Sequence, residues 1–168
     1  MVPEAVEPVT LERRIAARPR TVFSFFAEDD KWLAWMGRDG EFAFEPGGSY
    51  RIAVTREHVA EGRFTEIDPP GRLVFTWGWA GTEAGSGSDT GSGSETESGT
   101  RSGTGVPPGS STVEVTLQPA AEGTLFRLAH HGLPSPEACS AHAEVWTHYV
   151  RRLVTWAEGG DPGPDDWA

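Results

Sequence analysis

The sequence is short of several things, and each shortage removes a class of function. There is a single cysteine, Cys139, so no internal disulfide can form, and a reducing setting such as the cytoplasm fits best. Only one of the fourteen basic residues is a lysine, Lys31, and the 25 acidic residues leave a net charge of −11. That balance argues against a nucleic-acid partner, because binding a phosphate backbone rests on a concentrated basic surface. No apolar run approaches membrane-spanning length. The first residues, MVPEAVEPVTLERR, lack the basic start and apolar stretch of a secretion signal, so neither a signal nor an anchor is expected. What remains fits one domain across residues 1–168, long enough to bury roughly two thirds of its unfolded surface.

The aromatic content is where the chain is rich, with seven Trp and eight Phe. Period-two alternation in VTLERRIA (9–16) predicts a first strand with Leu11, Arg13 and Ile15 on one face. ARPRTVFSFFAE then predicts a short helix with Pro19 in its first turn and Val22, Phe23 and Phe26 on one side. A second short helix, DDKWLAWMG, is expected to start from a cap at Asp29 or Asp30 and to stop at Gly37. EFAFEPGGSYRIAV reads as two strands around a Pro-Gly-Gly turn, and HVAEGRFTEI with RLVFTWGW as the next pair. The DPPG turn between them conflicts with the common turn types, so either Pro70 is cis or the loop is wider. On simple alternation, Glu66 shares the face of Phe64 and points inward.

Residues 81–105 hold nineteen Gly, Ser or Thr and no large apolar side chain. Such composition cannot offset its ordering entropy, so a disordered loop insertion is expected at about 81–110. STVEVTL and TLFRLAH resume the strands. Ser135 and Pro136 open a long helix that Gly159 and Gly160 close. Cys139, His142, Trp146, Tyr149, Val150, Leu153 and Trp156 form its apolar stripe. Only a sheet is large enough to cover that stripe. The expected fold is therefore α+β: seven antiparallel strands curved around the C-terminal helix, with two small helices closing one end.

These segments resemble, in order, the SRPBCC (START and birch-pollen-allergen-like) superfamily, and within it the heat-shock-protein ATPase activator homologue-like group. The resemblance rests on EPGGSYRI, HVAEGRFTEIDPPGRLVFTWGW, SSTVEVTLQPAAEGTLFRLAHHGLP and HAEVWTHYVRRLVTWAEGG, and runs from about Val9 to Asp161. It implies the helix-grip fold, β-α-α-β(6)-α, with a cavity between sheet and long helix. Carried over by position, Trp35, Phe42, Phe44, Tyr50, Ile52, Phe64, Phe75, Trp77, Phe126, Leu128, His130, Trp146, Tyr149, Val150 and Leu153 would line that cavity. Where relatives often have Gly before the aromatic of the last helix, this chain has Val145, which would press the helix closer and shrink the pocket.

Catalytic spacing signatures are few. His130 and His131 are adjacent on a strand and point to opposite faces; His142 and His148 lie on different faces of the helix. No metal, no cofactor and no catalytic residue is expected. An inward His130 is a polar handle for a ligand or a weak base, although a hydrogen-bonded core histidine is the plainer reading. Cys139 is expected to be inert. The resemblance implies non-catalytic binding of a hydrophobic or aromatic small molecule, such as a lipid or polyketide, oriented by His130, Tyr50, Tyr149 or Arg127. Its alternatives are a co-chaperone-like module that stimulates a chaperone ATPase, and an aromatase/cyclase-like enzyme or metabolite-sequestering resistance protein.

Overall fold

The computed structural model describes residues 8–37, 39–55, 58–80 and 106–163. Strand β1 (Val9–Ile15) leads into α1 (Pro19–Ala27) and α2 (Asp29–Trp35). Six strands follow: β2 (Asp39–Phe42), β3 (Ser49–Ala53), β4 (Val59–Asp68), β5 (Arg72–Trp77), β6 (Ser111–Ala120) and β7 (Gly123–His131). The chain then forms α3 (Pro136–Ala157). All strand pairs are antiparallel, in the order β1-β7-β6-β5-β4-β3-β2, so the first strand returns to pair with the last. This is the helix-grip α+β fold.

Local chemistry accounts for the element ends. Ser135 caps α3 by accepting the Ala138 N–H at 3.1 Å, with Pro136 in the first turn, where its missing N–H costs nothing. α2 begins differently from expectation. Glu28 holds the cap position without a side-chain bond, and Asp29 and Asp30 fall in the first turn, where the helix dipole still favours them. Gly37 ends the helical segment at φ +82°; a Cβ there would also lie 2.7 Å from the Ile52 side chain and 2.8 Å from the Ala53 carbonyl. Of the two alternatives for the DPPG turn, the structure takes the first: the Pro69–Pro70 bond is cis.

One register feature overrides simple alternation. β4 bulges between Phe64 and Glu66, where Phe64 pairs with Phe75 and Glu66 with Val74. The extra residue shifts the phase, so Phe64 is buried while Glu66 is exposed and bonded to Arg72 at 3.1 Å. The inward Glu66 expected from the sequence is therefore corrected. Upstream in the same strand, Gly62 lets β5 approach closely: a Cβ would meet the Thr76 carbonyl at 2.1 Å.

The insertion expected at 81–110 lies largely outside the described residues, but its last five positions do not behave as a loop free of the domain. Val106 is fully buried and accepts the Trp79 backbone N–H at 2.7 Å. Among the described residues, no helix is long and apolar enough to cross a membrane.

Candidate functional site

The space between the sheet and α3 is filled by side chains from every layer. β3 sends in Tyr50 and Ile52, β4 Phe64, β5 Phe75 and Trp77, β7 Phe126, Leu128 and His130, and α3 Trp146, Tyr149, Val150 and Leu153. All are at most 3 % exposed, as is Trp35 of α2. Phe42 and Phe44 are half-buried at the rim. Thus the positions expected to face inward do gather, and they touch one another. Trp77 lies 5.0 Å from Trp146, 5.3 Å from Trp79 and 6.2 Å from His130, centroid to centroid. Trp32 meets Phe26, Phe42, Phe64 and Phe75 at 5.0–6.1 Å, mostly edge to face. Where a hollow is expected, these rings interlock. The grooves lined by described residues open elsewhere: one of about 850 Å³ on the outer face of β2–β5, beside the ion pair of Arg51 and Glu61, and one of about 540 Å³ on the outer face of β1, β6 and β7.

Polar groups at the heart of this interior form a defined network. Trp146 Nε1 donates to His130 Nδ1 at 3.0 Å. Ser111 Oγ donates to the Trp77 carbonyl at 2.9 Å, so it is left to accept from His130 Nε2, 2.8 Å away. Trp79 Nε1 donates to His142 Nε2 at 3.0 Å, and His142 Nδ1 donates to the Ala138 carbonyl at 2.8 Å. Each imidazole is thereby held neutral in a single tautomer, with its one lone pair occupied. Burial, then the nearby His142 and His131, push His130 down to about 2. Burial also lowers His142, against the opposing effect of its bond to Ala138. Neither ring can accept a proton without turning an indole donor against a new N–H. His130 is thus a built-in acceptor, and its lone pair is not offered as a base.

The two histidines lie 5.1 Å apart, centroid to centroid. Sequence spacing did not reveal this, since it compares only near neighbours along one element and the pair joins β7 to α3. Tyr50 donates to the Thr76 carbonyl at 2.6 Å, and burial, then the Glu61 charge, raise its pKa well above the ordinary tyrosine value, so it stays a phenol. Tyr149 donates to the Val54 carbonyl at 3.2 Å. Arg127, expected to orient a ligand, instead points outward and binds Glu12 at 2.6 Å. It is a correction with a simple cause: on β7 its neighbours Phe126 and Leu128 take the inner face.

Arg152 was also missed. It is only 8 % exposed, and its guanidinium donates to the carbonyls of Trp35, Ala34 and Gly163 at 3.2, 3.3 and 2.9 Å, tying α3 to the carbonyl end of α2. Two buried donors lack any such partner among the described residues: the indole N–H groups of Trp32 and Trp77. Among the described residues, no three His, Cys, Asp or Glu side chains gather to hold a metal.

This architecture has close counterparts. The solution structure of the AHSA1-like protein of Rhizobium etli superposes with a TM-score of 0.69 at 40 % identity, covering 99 % of this chain and 90 % of that one. DynU16, from the dynemicin biosynthetic locus, superposes at 0.73 with 19 % identity, over 97 % of this chain and 51 % of that one. The Aha1 dimer of Colwellia psychrerythraea does so at 0.70 with 16 % identity, over 94 % and 100 %. These last two share the fold. No curated protein matches the sequence. The family described as "Activator of Hsp90 ATPase homolog 1-like protein" matches residues 16–158. With most of its length matched in this way, and with the helix-grip sheet and terminal helix in place, the chain belongs to the AHSA1-like family of the SRPBCC superfamily.

Proposed function

We propose that the protein is a non-catalytic receptor for a hydrophobic or aromatic small molecule, taken up between the sheet and α3. The observation that carries this reading is the pair of fully buried indole N–H groups, Trp32 and Trp77, that meet no acceptor among the described residues in a largely aromatic interior. A core serving only stability loses about 1–3 kcal/mol for each such group. A ligand that parts the rings and offers an acceptor recovers that loss while burying its own apolar surface. The committed lone pairs of His130 and His142 favour holding over turnover.

The positions carried over from the resemblance, from Trp35 to Leu153, are the lining proposed for the bound state. The experiment is a compound screen read by chemical-shift perturbation. Binding at this site moves the side-chain resonances of Trp77, Trp146 and His130 together. If compounds bind but shift only residues of the outer face, the interior is not the site.

The family's name favours a second reading, a module that docks on a chaperone. An ATPase assay of the host chaperone, with and without the protein, separates the two: stimulation by the wild type that persists in a Trp77→Phe variant supports docking through another surface.

A further inference from the structure

The buried polar groups facing Trp77 differ in one respect: which of them still has something to offer. Every acceptor described in the network around it is in use. His130 Nδ1 takes the Trp146 N–H, His142 Nε2 takes the Trp79 N–H, and Ser111 Oγ is engaged on both sides. The donor on Trp77 Nε1 has no partner, though the residue is fully buried. Among the described residues, the polar side chains bonded around Trp77 carry no charge either. Both imidazoles are locked in neutral tautomers, and the buried cation, Arg152, spends its donors on the carbonyls of Ala34, Trp35 and Gly163.

We propose that the interior selects a neutral aromatic ligand that presents a carbonyl or ether oxygen to Nε1 of Trp77, and that it rejects carboxylates and ammonium groups. The inference rests on the receptor reading above and gives its ligand a chemical class. An acceptor oxygen there satisfies an orphaned donor. A ligand donor finds both imidazole lone pairs already taken. An anion gains one indole bond yet loses its hydration with no opposing charge nearby, and a cation fares worse.

The test uses two pairs of probes that differ only at one position, 9-fluorenone and fluorene, benzophenone and diphenylmethane, with 9-fluorenone-2-carboxylate as the charged control. Affinity is measured by quenching of tryptophan fluorescence, and the Trp77 indole proton is followed by NMR. The wild type is expected to bind each ketone about tenfold more tightly than its hydrocarbon partner, the size of one net hydrogen bond. The carboxylate is expected to bind at least tenfold more weakly than 9-fluorenone, and the Trp77 indole proton to move downfield with ketones only. In Trp77→Phe, which keeps a ring but loses the donor, the ketone preference is expected to fall to about one.

Equal affinity for ketone and hydrocarbon in the wild type overturns this inference and leaves the receptor reading standing. Failure of all the neutral probes to bind overturns both. Because the wild-type ratio and the indole shift decide the matter on their own, a poorly folded Trp77→Phe protein does not shelter the proposal.

Discussion

The two faces of the sheet are made of the same strands and obey opposite chemistry. Inside, rings meet rings, and the bonds of His130, His142 and Ser111 are neutral hydrogen bonds. Outside, the strands carry a charge ladder: Glu66 to Arg72 at 3.1 Å, Arg72 to Glu114 at 3.0 Å, and Glu114 to His131 at 3.3 Å, with Arg127 and Glu12 beside it. His130 and His131 make the contrast within a single dipeptide. One is fully buried and locked by an indole and a hydroxyl; the other is exposed and faces a carboxylate. Placement, not residue type, decides what an imidazole can do. On the outer face, the hydrogen bond from Arg72 lowers the pKa of Glu114, and the bonds to Glu66 and then Glu114 raise that of Arg72.

The contrast can be broken most severely from the inside. Trp146→Ala removes a fully buried indole and leaves His130 Nδ1 without its donor; a loss of roughly 3–5 kcal/mol is expected in denaturant unfolding. A smaller loss there would mean that the interior is loosely filled. Acid acts next. The folded pKa values of His130 and His142 lie below that of a free imidazole, near 6.5, so the unfolded chain binds protons that the folded chain refuses. Their contribution to stability is complete above about pH 6.5 and declines as pH falls, by up to about 1.4 kcal/mol per pH unit for His130 and in the same direction for His142. Unfolding measured from pH 7.5 to 5 checks this, and His142→Phe is expected to make the decline shallower.

On the outer face the effects shrink. Arg72→Ala is expected to cost no more than about 1 kcal/mol, because its partners are half-exposed and solvent-screened. The difference is expected to fade in high salt. Removing residues 84–104 is expected to change stability by only about 1 kcal/mol, as loop-closure entropy varies slowly with length. Val106→Ala, just beyond that segment, is expected to cost on the order of 2 kcal/mol, since Val106 is fully buried. Equal effects of the two changes would contradict that division.

How much of this was legible beforehand depends on the range of the interaction. Periodicity exposed the strands, the three helices and the inward stripe of α3, because each is written in residues a few positions apart. The Ser135 cap was legible for the same reason. Three features were not. The bulge at Thr65 is a property of two strands in register, so alternation alone put Glu66 inside. Arg152 is not part of the stripe read from periodicity, and only the folded chain brings the α2 carbonyls to its guanidinium. The Trp–His pairs link residues 16 and 63 positions apart, beyond any local pattern. Within the candidate site, the inward residues were readable, whereas the tautomers and the orphaned donors that determine its chemistry were not.

The bulge in β4 has one more implication. A strand is a two-letter code, in and out, and Thr65 works there as a frameshift that rephases everything downstream. Were Thr65 instead a regular member of the pleat, the carboxylate of Glu66 would be written into the greasy side and Ile67 into the water. Deleting Thr65 would straighten the ladder and leave both surfaces where they are, whereas adding one residue just past the bulge would transpose them.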